Sequence, residues 1–155
     1  LKDLAETSPG ELAELIKPSG HFRVKAVRLA ALLRFLDQAC SFDLDRLAAM
    51  DMDELRADLL RVKGVGPETA DSILLYGLGL PSFVVDAYTK RILNRHGLIH
   101  EDAGYDELRE LCMGALPVDV GLYNEWHALM VRTGAAWCKK KIPMCGDCPL
   151  NPFLD

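Results

Sequence analysis

Three groups of residues in this sequence are of types and spacings that do chemistry. The stretch "LLRVKGVGPETA", starting at residue 59, brackets Val65 between Gly64 and Gly66, with Lys63 before them and Glu68 and Thr69 after. The stretch "FVVDAY" places one carboxylate, Asp86, inside an apolar run. The stretch "CKKKIPMCGDC" spaces Cys138, Cys145 and Cys148 as C-x6-C-x2-C. Gly64 and Gly66 admit positive φ and leave main-chain N–H groups uncovered. Pro67 suits the first turn of a following helix, whose N-terminal donors and positive dipole end favour an anion. The chemistry implied is phosphate binding by the main chain, with few lysines needed. The plainer reading of the same turn is a short connection between two antiparallel helices. Asp86 fits a helix N-cap. Thiols at the spacing of the third group favour reduced cysteine or metal ligation over a disulfide framework, since the total of five is odd and the first residues do not form a secretory signal.

The elements that must position these groups read as helices nearly throughout. "SPGELAELIK" carries a capping box, with Ser8 as N-cap, Pro9 at the first helical position and Glu11 three residues after the cap. "FRVKAVRLAALLRFLDQAC" has Phe22, Ala26, Leu29, Ala30, Leu33 and Leu36 on one stripe. Two short helices follow in "SFDLDRLAAM" and "DMDELRADLLRV", each with acidic residues at its start. After the glycine turn come a helix over "ETADSILLYGL", a break at "GLPS", and a helix over "DAYTKRILNRHG" stopped by Gly97. "YDELRELCMGAL" gives another helix, ended before Pro117. "VGLYNEWHALMVRTGAAWC" gives the last long one, with Leu122, Trp126, Leu129, Met130 and Trp137 near its apolar stripe. Only "SFVV" has strand character, and it is too short to found a sheet. The expected fold class is all-α, with a helical region over 1–137, a hairpin over about 59–76, and a cysteine-rich loop over 138–155.

With 155 residues, half of them apolar and 26% charged, the chain fits one domain or two small lobes. No apolar run has the length of a membrane span. The net charge of −5 argues mildly against nucleic acid, but positive charge gathers locally at Arg61 and Lys63, at Lys90, Arg91 and Arg95, and at Lys139, Lys140 and Lys141. The chain starts at Leu1 and not at Met, which reads as part of a longer protein.

Residues 59–93 resemble the helix-hairpin-helix and catalytic-aspartate segment of the endonuclease III superfamily of DNA glycosylases. The family pattern L-x-x-[LIV]-x-G-[VI]-G-x-x-T-A, followed by an apolar helix and V-D, stands here as "LLRVKGVGPETA" and "VVDAY". The likeness runs more weakly over nearly the whole chain. "IKPSGHFRVKA" and "ETADSILLY…VVDAYTKR" are most similar to the branch with 3-methyladenine glycosylases of endonuclease III type.

That resemblance implies a base-excision enzyme. Asp86 would be the catalytic carboxylate, stabilising a sugar with oxocarbenium character. Lys63, Gly64, Val65, Gly66, Glu68 and Thr69 would contact DNA. The family's Schiff-base lysine corresponds to Glu68, which is no amine nucleophile, so the expected activity is a monofunctional glycosylase acting on alkylated purines. The alternatives are a non-catalytic DNA-binding module and a lyase using Lys63 or Lys90, although a phosphate contact or surface charge suits each lysine better. Tyr76, Tyr88 and His127 read as packing or surface before chemistry. Cys138, Cys145 and Cys148 match three ligands of the family's iron–sulfur loop, while the fourth falls on Leu154. A [4Fe–4S] cluster completed by Asp155, Cys112, Cys40 or residues outside this chain, no metal, and zinc all stay open. Cys40 and Cys112 also read as ordinary buried thiols. The implied partner is double-stranded DNA with a damaged base, bound by a monomer. The implied place is the cytoplasm of a bacterium or archaeon, or a eukaryotic nucleus. The match starts partway into the family fold, so this chain alone is expected to bind DNA poorly or to be inactive.

Overall fold

The computed structural model describes residues 1–154. Helices account for its regular structure, and no strand occurs among the described residues. The chain divides into two compact units, Leu1–Ala70 and a second that begins at Asp71.

In the first unit, a short turn of helix, α1 (Lys2–Glu6), precedes α2 (Pro9–Leu15). Ser8 accepts from the Glu11 N–H and Glu11 reaches back to the Ser8 N–H, so the expected capping box is formed. Leu12 and Ala13 of α2 bury against Ala26 of α3 (Phe22–Cys40), with Ile16, Phe22, Leu29 and Ala30 at the margin. The α3 stripe is the expected one, extended by Cys40, whose thiol donates to the Leu36 carbonyl at 3.1 Å. α4 (Leu44–Ala48) and α5 (Met52–Arg61) begin at N-cap residues Asp43 and Asp51, each accepting main-chain N–H bonds. Leu47, Leu55 and Leu59 are their fully buried anchors. α5 then leads into the glycine turn and α6 (Pro67–Ser72).

In the second unit the helical path continues as a π turn, Ile73–Gly77, where the sequence predicts plain α-helix. The Leu80 N–H closes back on the Leu74 carbonyl, and Gly79 takes φ 66° at the break. Residues 82–85 run extended without pairing, and Ser82, Phe83, Val84 and Val85 are buried. Phe83 stands edge-on to Tyr123 and Trp126, with ring centroids 5.5 and 5.1 Å away. Burying such a side chain contributes about 1.5–3 kcal/mol, so this short stretch is fixed by its side chains and not by a sheet.

α7 (Ala87–Arg95), α8 (Tyr105–Ala115) and α9 (Val120–Ala136) complete the unit. Gly97 ends α7 at φ 65°, with the Leu98 N–H returned to the Leu93 carbonyl. The packed face of α9 differs from the predicted stripe. Tyr123, Met130, Thr133 and Gly134 are buried, while Leu129 is 48% exposed. Gly134 explains the shift: a Cβ there would fall 2.6 Å from the Tyr88 Cβ, so only glycine lets α7 lie this close to α9. Beneath the unit, Asp71 is wholly buried and bonded to Ser82 (2.5 Å) and Arg109 (3.2 Å), a paired charge that ties residue 71 to the extended stretch and to α8.

Candidate functional site

Asp86 is the N-cap of α7. Its Oδ1 accepts the Thr89 N–H at 2.7 Å, which satisfies one orphan donor of the helix start. The preceding residue is pinned as well, since the Val85 N–H donates to the Tyr105 hydroxyl at 3.3 Å. Its second oxygen is left for other work. Oδ2 faces His127 Nε2 of α9 at 3.7 Å, longer than a hydrogen bond but well within ion-pair range. His127 Nδ1 in turn meets the Tyr76 hydroxyl, carried on the π turn. The Asp86 side chain is 13% exposed, so it is enclosed yet still reachable from solvent.

Burial acts against the ionised form of Asp86. The His127 side chain and the Thr89 N–H outweigh it, and the carboxyl is held below the usual carboxylate range. The Tyr76 phenol moves the other way, raised by burial and by the nearby Asp86 charge. The result is a carboxylate that stays charged, with one oxygen locked and one free edge. It can stabilise a developing cation or orient a water molecule.

Tyr76 and His127 belong to this constellation although their local sequence reads as packing. His127 lies on the packed face of α9 by its spacing from Tyr123 and Met130, which is the one signal in the sequence that it points inward. Tyr88, by contrast, is a packing residue, seated on Gly134 with the Arg91 guanidinium 5.0 Å from its ring centroid.

The glycine turn lies in the first unit up to Ala70. Gly64 takes φ 92°, and the stem of Arg28 from α3 rests where its Cβ would be. Gly66 does not take positive φ, against expectation, and a Cβ there would meet nothing within 4 Å. Lys63, Gly64, Glu68 and Thr69 are exposed, Gly66 is half-buried, and the Val65 side chain is buried with its N–H already donated to the Val62 carbonyl at 3.0 Å, so Val65 offers an anion no donor. The first helical bond of α6 runs from the Ala70 N–H to the Gly66 carbonyl. Arg28 is a cation at this turn that the sequence motif does not include.

Two of the basic residues are committed elsewhere. Lys90 donates to the Ala103 carbonyl at 2.7 Å, so it is neither a surface charge nor a ready amine. Arg95 grips the cysteine loop through Cys138 Sγ (3.1 Å) and the carbonyls of Lys139 (2.8 Å) and Lys140 (3.2 Å), and Arg91 holds the Cys138 carbonyl at 2.7 Å. Lys140 and Lys141 remain exposed on that loop.

Cys138, Cys145 and Cys148 line one small pocket, and Leu154 lines it too, at the position of the missing thiol. Among the described residues no three His, Cys, Asp or Glu side chains are gathered closely enough to hold one metal ion. Cys40 and Cys112 do not line this pocket. Both are buried thiols, and burial pushes Cys112 up to about 11. Asp155 lies outside the described residues. The donor set therefore does not fit a cluster held by four thiolates of the described residues.

The described residues are helical, with a glycine hairpin and a helix-capping aspartate, and sequence comparison gives the class. Residues 1–118 match the HhH-GPD superfamily base excision DNA repair protein family, and the chain belongs to it. A protein of Methanocaldococcus jannaschii, provisionally named a DNA repair glycosylase, is 46% identical over 145 residues, covering 92% of this chain and 65% of its own. The chain thus spans about two thirds of that relative's length. Among solved structures, an endonuclease III–DNA covalent intermediate superposes with a TM-score of 0.77 at 27% identity, over 98% of this chain and 67% of that one. The H. pylori 3-methyladenine DNA glycosylase bound to 1,N6-ethenoadenine does so with a TM-score of 0.68 at 29% identity, over 86% and 66%.

Proposed function

We propose that this chain carries the catalytic machinery of a DNA base-excision glycosylase that hydrolyses the N-glycosidic bond of damaged bases, alkylated purines in the first place. The observation that carries this reading is Asp86: a carboxylate kept ionised, fixed through one oxygen and partly exposed to solvent, in a family of base-excision proteins.

In the proposed reaction the C1′–N bond breaks with its electron pair leaving on the base. A purine alkylated at N3 or N7 carries positive charge and so departs neutral, which lowers the demand for protonation of the leaving group; an uncharged adduct would need a proton from solvent as it leaves. The sugar left behind gains positive charge, and Asp86 offsets it across the active site. Water then adds at C1′, and its proton passes to Asp86 or to solvent.

Glu68 stands where a lyase would need its amine, and Lys90 is bound to a carbonyl. These features support a monofunctional enzyme. The glycine turn supports DNA as the partner. Nothing inside the chain requires glycine at position 66, so the space above it is available to a phosphate. Similarity to the 3-methyladenine glycosylase structure supports the alkylated-purine substrate class.

The test is a panel of duplexes, each with one lesion, incubated with the full-length protein and scored for free base, with borohydride trapping on abasic DNA in parallel. Release of an alkylated purine with no trapped adduct is the expected result. A trapped adduct would establish lyase chemistry, and no release from any lesion would leave DNA binding alone.

A further inference from the structure

We infer that His127, held by Tyr76, is a positioning residue for Asp86, and that the three side chains work as one polarised donor chain running Tyr76 to His127 to Asp86. This rests on the glycosylase reading and deepens it.

The argument starts from His127 Nε2, which is buried and has no hydrogen-bond partner, while its nearest charged neighbour is Asp86 Oδ2 at 3.7 Å. A buried polar atom without a partner is costly and calls for a reason. The other ring nitrogen is in contact with the Tyr76 hydroxyl. Two tautomers are possible. If Nδ1 carried the proton, the lone pair of Nε2 would face a carboxylate, and like would oppose like. If the phenol donates to Nδ1, the proton sits on Nε2 and points at Asp86. The carboxylate therefore selects the second arrangement, and Tyr76 enforces it.

The placement of Tyr76 has its own structural cause. It stands on the π turn Ile73–Gly77, and π turns recur at functional sites because the added residue resets which way a side chain faces. The ring is 46% exposed, so packing alone does not account for its position. The two rings lie 6.0 Å apart between centroids.

Asp86 is then fixed at Oδ1 by the Thr89 N–H, while Oδ2 faces the imidazole at 3.7 Å. An N–H directed at Oδ2 favours the anionic carboxylate that a cationic sugar requires. The titratable groups around Asp86 are His127 from α9 and Tyr76 from the π turn. Tyr105 of α8 faces the neighbouring Val85 N–H, and Lys90 on the same helix is tied to Ala103.

The experiment uses His127→Ala, His127→Gln and Tyr76→Phe in the full-length protein. Three readouts are taken: the ¹³C-detected titration of the Asp86 carboxyl, duplex affinity, and single-turnover release of an alkylated purine. In His127→Ala the Asp86 midpoint should rise and release should slow about 10- to 100-fold, with duplex affinity unchanged. Gln keeps a neutral donor and should restore much of both, and Tyr76→Phe should fall between. If His127→Ala does not fold, Tyr76→Phe and His127→Gln carry the test, and a Tyr76→Phe protein with wild-type midpoint and rate overturns the inference. So does a His127→Ala protein unchanged in both. Because the titration needs no substrate, a wild-type protein that releases no base defeats the glycosylase reading, while the midpoint still reports whether the donor chain exists.

Discussion

Asp86 does two things with two oxygens, and each has a testable consequence. Its carboxyl is subject to burial, which raises the pKa, and to His127 and Thr89, which lower it further than burial raises it. A depressed folded pKa contributes stability that is present above the ordinary carboxylate value of about 3.9 and is lost as pH falls through the depressed value. The ionised form needed for base release follows the same direction. The acid limb of the single-turnover pH–rate profile is thus expected below the ordinary carboxylate range, and a limb at or above it would contradict the assignment. Asp86 was legible in the sequence as a helix N-cap, which it is, while its catalytic role came from the family resemblance of "VVDAY". Tyr76 and His127 were not, since they are 51 residues apart and the first stands on a π turn that no 3.6-residue periodicity reveals. The spacing Tyr123, His127, Met130, Gly134 places the histidine on the packed face of α9, but the larger apolar side chains Leu122, Leu129 and Trp137 dominate the pattern of that helix.

Among the elements, the hairpin is the one whose two glycines separate by role. Gly64 is required by the fold, through its φ of 92° and the Arg28 stem lying against it. Gly64→Ala should destabilise the protein by at least about 1–2 kcal/mol, the cost of a left-handed non-glycine residue, with the displaced Arg28 stem adding to it, measured by urea unfolding. Gly66 is free of both constraints. Gly66→Ala should therefore keep the wild-type Tm and lose duplex affinity. An unchanged affinity would remove the turn from the DNA interface. From the sequence the two looked equivalent, because a motif records residue types and not dihedrals. Helix starts at Ser8 and at the acidic openings of α4 and α5 were legible for the opposite reason: Ser8, Asp43 and Asp51 cap locally, each to an N–H two or three residues ahead, whereas the Asp119 cap of α9 was not read. The α9 stripe was misplaced because Gly134, the point of closest approach, counts as no hydrophobic signal at all.

Across the whole molecule, an acidic chain keeps its positive charge for specific tasks. Arg91 and Arg95 are used to hold the cysteine loop by its carbonyls, and Arg109 to neutralise the buried Asp71. Asp71→Ala would leave that guanidinium without its carboxylate in a buried setting, and a loss of about 3–5 kcal/mol is expected in equilibrium unfolding; a loss under 1 kcal/mol would show that the pair contributes little. These commitments explain why counting lysines and arginines in the sequence overstated the basic surface. They also leave the main chain of the hairpin, with Lys63 and Arg28 beside it, as the principal anion-binding candidate. The most direct test of the whole account is single-turnover release of an alkylated purine by the full-length protein and by its Asp86→Asn variant. Asparagine caps a helix as well as aspartate does, so the fold is kept while the charge is removed. Release should fall by roughly 100-fold or more with duplex affinity retained. Undiminished release by the variant would contradict the catalytic role of Asp86, and with it the mechanism built on that carboxylate.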